Sequence, residues 1–249
     1  MPYFQARTDI LIGEAARRFL SEKTMMVAGL GGVGGQAAEA LARAGIGHLI
    51  LLDHDKVSPS NINRQLLALH SNIGQLKTQA AAARLKDINP EIRLTLLEQF
   101  LQADGAEALF AEYRPDYLLD CIDSIACKAA MVKAAQTQKI PVISAMGAGN
   151  CLDVSKVGIA KLEKTTACPL AREMRRHIKA LRGSLRYPVV YSTEERRQPL
   201  PHAPVGGDNP GRARAVNGTI SYLPGLFGMM MSGYAINDLL QKSGLLSDK

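Results

Sequence analysis

Met25-Met26-Val27-Ala28-Gly29-Leu30-Gly31-Gly32-Val33-Gly34 joins an apolar run of strand type to an Ala-rich run of helical type. The glycines at Gly29-x-Gly31-x-x-Gly34, with Gly32 as a fourth, mark a backbone that turns sharply and lets a phosphate approach closely. A Cβ there would collide, and the helix that follows offers free N–H groups and a partial positive charge. Asp53 closes the next apolar run, His48-Leu49-Ile50-Leu51-Leu52, at about the ~20-residue offset of a ribose-binding acid. The loop announces a nucleotide site and leaves the nucleotide open.

Outward from this loop the chain alternates. Strands are predicted over 24–30, 48–53, 92–97, 116–121 and 140–145, with a further one over 155–160; helices are predicted over 32–44, 75–88, 103–113 and 124–138. This order implies an α/β, Rossmann-like fold: a mostly parallel twisted sheet with helices on both faces, plus a C-terminal extension. Ligands in such sheets sit beyond the carboxyl ends of the strands. A chain of 249 residues is long for one domain without requiring two. The expected organisation is one domain, with its core over 24–160 and a basic helix, a loop and an apolar helix over 161–249.

Composition narrows the class. A hydrophobic content of 47% fits a globular chain. Cys121, Cys127, Cys151 and Cys168 form no C-x-x-C pair, which signals neither structural zinc nor a disulfide framework. No apolar h-region follows Met1, so a reducing cytoplasm is the expected location. Residues 219–236 carry no charge and approach the ~20-residue length of a membrane span. Pro224 and three glycines break the run, and small-x-x-x-small spacing suits close helix packing. A buried helix is the favoured reading.

The net charge is +7, which favours polyanionic partners. Between Leu170 and Arg182, the residues Leu170, Met174, Ile178 and Leu181 recur at helical spacing as an apolar face. Arg172, Arg175, Arg176, Lys179 and Arg182 fall largely opposite, with only Glu173 to offset them. Arg186, Arg196, Arg197, Arg212 and Arg214 follow less regularly. A solvated face normally mixes signs, so this one reads as a phosphate-backbone contact. The region 194–217 is rich in Pro, Gly and charge and is predicted to be a long mobile loop.

Residues after Asp53 suit ATP better than a nicotinamide. Asp55 completes an Asp-x-Asp pair, and Ser60-Asn61-Ile62-Asn63-Arg64-Gln65 sets a guanidinium among amides, suited to triphosphate oxygens. Ile73-Gly74-Gln75-Leu76-Lys77 places a cation at a helix start, where acids are usual. Leu119-Asp120-Cys121-Ile122-Asp123 ends a strand on a carboxylate that could hold Mg²⁺ against phosphates, or cap the helix beginning near Ser124.

These five motifs, in order over 29–124, resemble the ubiquitin-activating-type adenylyltransferases. The resemblance implies that a substrate carboxylate attacks the α-phosphate of ATP. It implies that Gly31 and Gly34 approach the phosphates and that Asp53 holds the ribose. Asn61, Arg64 and Lys77 would contact the triphosphate, with Gln65 and Asp55 beside them, and Asp123 would coordinate Mg²⁺. Arg7 matches an N-terminal Arg that such homodimers lend to the partner's ATP site. The two zinc-binding C-x-x-C pairs usual in the sulfur-carrier branch are absent.

Three further stretches resemble the tRNA threonylcarbamoyladenosine dehydratases instead. They are Ala145-Met146-Gly147-Ala148-Gly149, Lys164-Thr165-x-x-x-Pro169-Leu170-Ala171-Arg172 and Val189-Val190-Tyr191-Ser192-Thr193-Glu194. Gly218-Thr219-Ile220-Ser221-Tyr222-Leu223-Pro224 is similar to that family as well. Cys168 stands where that family's pattern expects Asp. The implied reaction is ATP-dependent cyclisation of threonylcarbamoyladenosine at position 37 of tRNA. The alternative is an activating enzyme for a ubiquitin-like sulfur-carrier protein. Cys151 or Cys168 as a thioester former is the less usual reading against a small buried Cys. The resemblance leaves open a monovalent cation and a cysteine-desulfurase sulfur-transfer partner.

Overall fold

Strand β1 (Thr24–Ala28) is apolar on both faces because it lies at the centre of a covered sheet: Met25 and Val27 enter one core, Met26 and Ala28 the other. The computed structural model describes residues 4–100, 103–198 and 217–246. Helices α1 (Ala6–Ile12) and α2 (Glu14–Ser21) precede β1. Then follow α3 (Gly34–Arg43), β2 (His48–Leu52), α4 (Lys77–Ile88), β3 (Arg93–Leu97), α5 (Ala106–Tyr113), β4 (Tyr117–Asp120), α6 (Ile125–Thr137) and β5 (Val142–Ala145). The C-terminal part adds β6 (Val157–Lys161), α7 (Pro169–Ala180), β7 (Pro188–Ser192) and α8 (Leu223–Lys242).

The sheet order is β3-β2-β1-β4-β5-β7-β6. Every pairing is parallel except β6 with β7, which is antiparallel. The order reverses direction between β1 and β4, and ligands of such sheets bind in the crevice at this switch point. Residues of α3, α4 and α8 share one core, and those of α5, α6 and α7 the other.

The expected fold is therefore observed, with elements trimmed at their ends. The predicted strand over 24–30 stops at Ala28 because Gly29 has φ +88°. The predicted helix over 103–113 opens as a 3₁₀ turn at Ala103–Gly105. Sequence reading does not anticipate α1, α2 or the strand role of β7.

Among the described residues, no helix is long and apolar enough to cross a membrane. The apolar 219–236 segment instead supplies most of α8, which packs on α3. Ser232 Oγ donates to Ala37 O at 3.1 Å. A Cβ on Gly228 would lie 2.3 Å from Val33 O, so the helix axes approach as close as glycine allows. Gly228 and Ser232 are the small-x-x-x-small pair at work.

Candidate functional site

The glycine loop lies at the switch point, and its glycines divide the work. Gly29 N donates to Leu52 O at 2.7 Å, and a Cβ on Gly29 would meet Cys121 O at 2.8 Å, so β1 and β4 converge there. Gly34 is buried, and its Cβ would fall 1.7 Å from Gly29 O. Gly34 thus lets α3 close onto the loop; the described geometry gives it a packing role rather than an open approach to a phosphate. At Gly31 the nearest described atom to an added Cβ is Gln65 Nε2 at 3.9 Å, so among the described residues this position alone of the three faces open space. Gly32 lies under Pro224 of α8, whose Cβ would be 2.9 Å away.

Asp53 sits at the end of β2 and is almost buried. Its Oδ2 accepts from Leu30 N at 2.6 Å and its Oδ1 from Asp55 N at 2.8 Å. The carboxylate thereby clamps the glycine loop to the next strand, with lone pairs remaining for a ribose. Asp55 pairs with Lys77 at 2.7 Å, and Lys77 N donates to Asp55 O. Lys77 is the first residue of α4 and is 5% exposed, so the cation at the helix start is buried against the end of β2. Asp53, His54 and Asp55 bring three ligand atoms within 4.8 Å of one another. Lys77 neutralises Asp55, and each Asp53 oxygen already accepts one backbone N–H, so the cluster offers only part of the charge a cation site needs.

The crossover from β2 to α4 carries the other polar residues. Asn61 Oδ1 accepts from Ser58 N at 3.1 Å, closing a 3₁₀ turn over Pro59–Asn61. Arg64 Nη1 donates to Ser60 O and to Asn63 Oδ1, both at 2.9 Å, and among the described residues the rest of its guanidinium donors remain available. Gln65 is 8% exposed, lies beside Gly31, and its Oε1 has no partner among the described residues. Asn61, Arg64 and Gln65 thus stand on one tight turn above the loop.

Asp123 follows β4, is exposed, and makes no ion pair among the described residues. The helix cap is Ser124 rather than Asp123, and it forms no side-chain capping bond. The capping reading of Asp123 is therefore not realised. A free carboxylate at this mouth fits a hard cation shared with substrate phosphates.

Beneath Asp123 lies a cluster absent from the sequence reading. Lys128 and Asp120 are fully buried and paired at 3.0 Å, and Ser144 Oγ donates to Asp120 Oδ2 at 2.6 Å. Burial pushes the Asp120 carboxyl up, opposed by the Lys128 charge and the Ser144 hydrogen bond. A single Lys in the apolar stretch Ile125-Ala126-Cys127-Lys128-Ala129 is the sequence signal that could have found it.

Helix α7 buries Ala171, Met174 and Ile178. Leu181, placed on the apolar face by periodicity, lies beyond the helix end and is 43% exposed. Arg172, Arg176, Lys179 and Arg182 are exposed. Arg175 is not on that face: its Nη1 reaches inward to Thr165 O at 3.1 Å, Leu162 O at 3.4 Å and Thr165 Oγ1. Arg196 also turns inward, donating to Gly147 O at 2.6 Å, to Gly149 O, and to Cys168 Sγ at 3.4 Å. Cys151 and Cys168 are buried, and burial pushes the Cys151 thiol up, against the nucleophile reading. Arg7 is exposed on α1, a helix with no buried residue. Residues 199–216, most of the predicted loop over 194–217 including Arg212 and Arg214, lie outside the described residues.

A doubly wound sheet with a glycine loop at its switch point, an acid ending β2 and cations on the crossover defines a nucleotide-binding α/β protein. Residues 5–248 match the ThiF family, and the chain belongs to it. It is 35% identical over 241 residues to the tRNA threonylcarbamoyladenosine dehydratase of Bacillus subtilis, covering 95% of this chain and 94% of that protein. Over 194 residues it is 38% identical to the Escherichia coli protein of the same name, covering 75% and 72%. The crystal structure of E. coli tRNA N6-threonylcarbamoyladenosine dehydratase, TcdA, in complex with ATP superposes with a TM-score of 0.84 at 32% identity, over 97% of this chain and 95% of that one.

Proposed function

We propose that the chain catalyses the ATP-dependent cyclisation of threonylcarbamoyladenosine at position 37 of tRNA. The carrying observation is the similarity to dehydratases along nearly the whole chain, including α7 and α8, joined to an ATP-type site at the switch point. A threonine carboxylate oxygen attacks the α-phosphorus and pyrophosphate leaves. The carbamoyl nitrogen then attacks the acyl carbon, loses its proton and expels AMP. Ring closure is intramolecular, so the protein needs chiefly to adenylate and orient.

In this reading Asp53 holds the ribose and Gly31 admits the phosphates. Arg64 and Lys77, with Asn61 and Gln65 around them, meet the triphosphate and stabilise charge that develops at the α-phosphate. Asp123 would hold Mg²⁺, which supplies charge neutralisation of the phosphates when bound. Arg172, Arg176, Lys179 and Arg182 meet the tRNA backbone. Arg7 serves the partner's site in a homodimer. A cytoplasmic location fits a tRNA substrate.

The test is incubation with ATP, Mg²⁺ and tRNA bearing the modified nucleoside, followed by nucleoside mass spectrometry. Loss of the mass of one water, with stoichiometric AMP, is expected. Unchanged nucleoside together with pyrophosphate exchange that depends on a sulfur-carrier protein would overturn the proposal.

A further inference from the structure

We propose that Lys128 is a positioning residue for Asp123, holding the short coil from which that carboxylate projects. The inference rests on the reading of Asp123 as the metal-holding residue. Lys128 comes from the second turn of α6, with α6 starting at Ile125. Its ammonium has three N–H donors. They meet Asp120 Oδ2 at 3.0 Å, Asp120 O at 3.1 Å and Ile122 O at 3.1 Å. All three acceptors lie on the segment that leads from β4 to Asp123, and none lies elsewhere in the core.

Two of those acceptors are main-chain carbonyls, which an ion pair serving only to neutralise Asp120 does not require. The Ile122 carbonyl belongs to the peptide plane that continues directly into Asp123. Asp120 returns the restraint by accepting from Ile122 N at 3.3 Å through Oδ1. Ser144 Oγ fixes the other carboxylate oxygen. From above, the same coil is pressed against the glycine loop, since a Cβ on Gly29 would meet Cys121 O and C within 3 Å. The coil 120–123 is thus held from below by one buried ammonium and from above by the loop that faces the nucleotide.

Replacing a buried ion pair as a pair is often tolerated, whereas removing one partner leaves an uncompensated charge. That asymmetry separates positioning from stability. Three variants are needed: Lys128→Met, the double Asp120→Asn/Lys128→Met, and Asp123→Asn. Three properties are read from each. They are thermal unfolding, Mn²⁺ affinity by electron paramagnetic resonance with a non-hydrolysable ATP analogue bound, and affinity for that analogue without metal.

Lys128→Met is expected to unfold early. The double variant is expected to recover much of that loss, melting about 4–8 °C below the parent because the Asp120 and Ile122 carbonyls lose their donor. It should bind the analogue alone normally, yet bind Mn²⁺ about ten- to hundredfold more weakly, the usual penalty for losing support behind a metal ligand. Asp123→Asn should weaken Mn²⁺ at least as much. Parental Mn²⁺ affinity in the double variant, or a melting point as low as that of Lys128→Met, overturns the proposal. Parental Mn²⁺ affinity in Asp123→Asn overturns the metal-holding reading instead, and the proposal falls with it.

Discussion

Gly31→Ala and Gly34→Ala should separate binding from folding within a single loop. At Gly34 the added Cβ would stand 1.7 Å from Gly29 O, 2.8 Å from Gly29 C and 3.2 Å from Cys121 Cβ. The first two are main-chain atoms held by the Gly29 N to Leu52 O bond and by the Asp53 clamp on Leu30 N. No side-chain rotation relieves the clash, so α3 must slide off the loop. A clash of this kind belongs with the exceptional substitutions that cost about 4 kcal/mol or more. For a chain of this size that lowers Tm by roughly 8–16 °C. Among the described residues, nothing approaches an added Cβ on Gly31 closer than 3.9 Å. The loss of unfolded-chain freedom should leave Gly31→Ala level or up to about 1 kcal/mol more stable. If a phosphate approaches this position, the methyl should still weaken ATP at least about tenfold, or ~1.4 kcal/mol. Calorimetric unfolding without nucleotide and titration with ATP and Mg²⁺ measure both. Parental ATP affinity in Gly31→Ala would refute the phosphate approach, and a parental Tm in Gly34→Ala would refute the packing role.

On the basic helix, Arg172→Ala, Arg176→Ala and Lys179→Ala together should flatten the slope of log binding constant against log salt for tRNA by about 2–3; an unchanged slope removes α7 from the interface. Arg175→Ala should leave that slope alone and lower Tm, because its guanidinium serves the Leu162 and Thr165 carbonyls. Lys77→Met should slow ATP-dependent pyrophosphate release by about 10²-fold or more while changing stability by less than about 1 kcal/mol, since the Asp55 partner is half exposed; a rate within twofold of the parent contradicts the assignment. His48 lies between Thr24 and Thr95, and burial, then the Arg93 charge, pushes its pKa below the ordinary value of 6.5. The unfolded chain therefore takes up a proton that the folded chain refuses, so this contribution to stability is present above pH 6.5 and is lost as pH falls below it. His48→Asn should show a shallower fall of Tm across that acid range, and an equal fall in both proteins would exclude His48 as the cause.

What could be read from the chain follows from how local each signal is. The glycine loop, Asp53 and Lys77 were legible because the turn, the strand end and the helix start occur at fixed short offsets along the sequence. The central strands were legible because burial on both faces makes them continuously apolar, as in Met25–Ala28. Strand β7 was obscured because its role depends on pairing with β5 across the chain and with β6 in the reverse direction. Arg175 and Arg196 looked like members of a solvated cationic set, since charge count says nothing about which carbonyls a side chain can reach. Lys128 and Ser144 were hidden for the same reason: their significance arises only where α6, β4 and β5 meet.

The C-terminal segment also bears on why a dinucleotide-type loop serves here beside a basic helix. Helix α8 reaches the loop itself, with Pro224 over Gly32 and Gly228 against Val33 O. A chain lacking α8 would leave Gly32 and the first turn of α3 uncovered on the face opposite α7. Helix α7, on the other face, shares a core with Met146, Val189 and Cys168, and Arg196 ties that core to the Gly147 and Gly149 carbonyls beyond β5. The two C-terminal helices therefore grip the carboxyl end of the sheet from both sides, one at the loop after β1 and the other at the loop after β5. A substrate lying across that end would meet the nucleotide loop and the first turn of α7, where Arg172 is exposed, whereas Arg182, whose carbonyl accepts from Lys133 in the last turns of α6, lies toward the opposite end of the sheet.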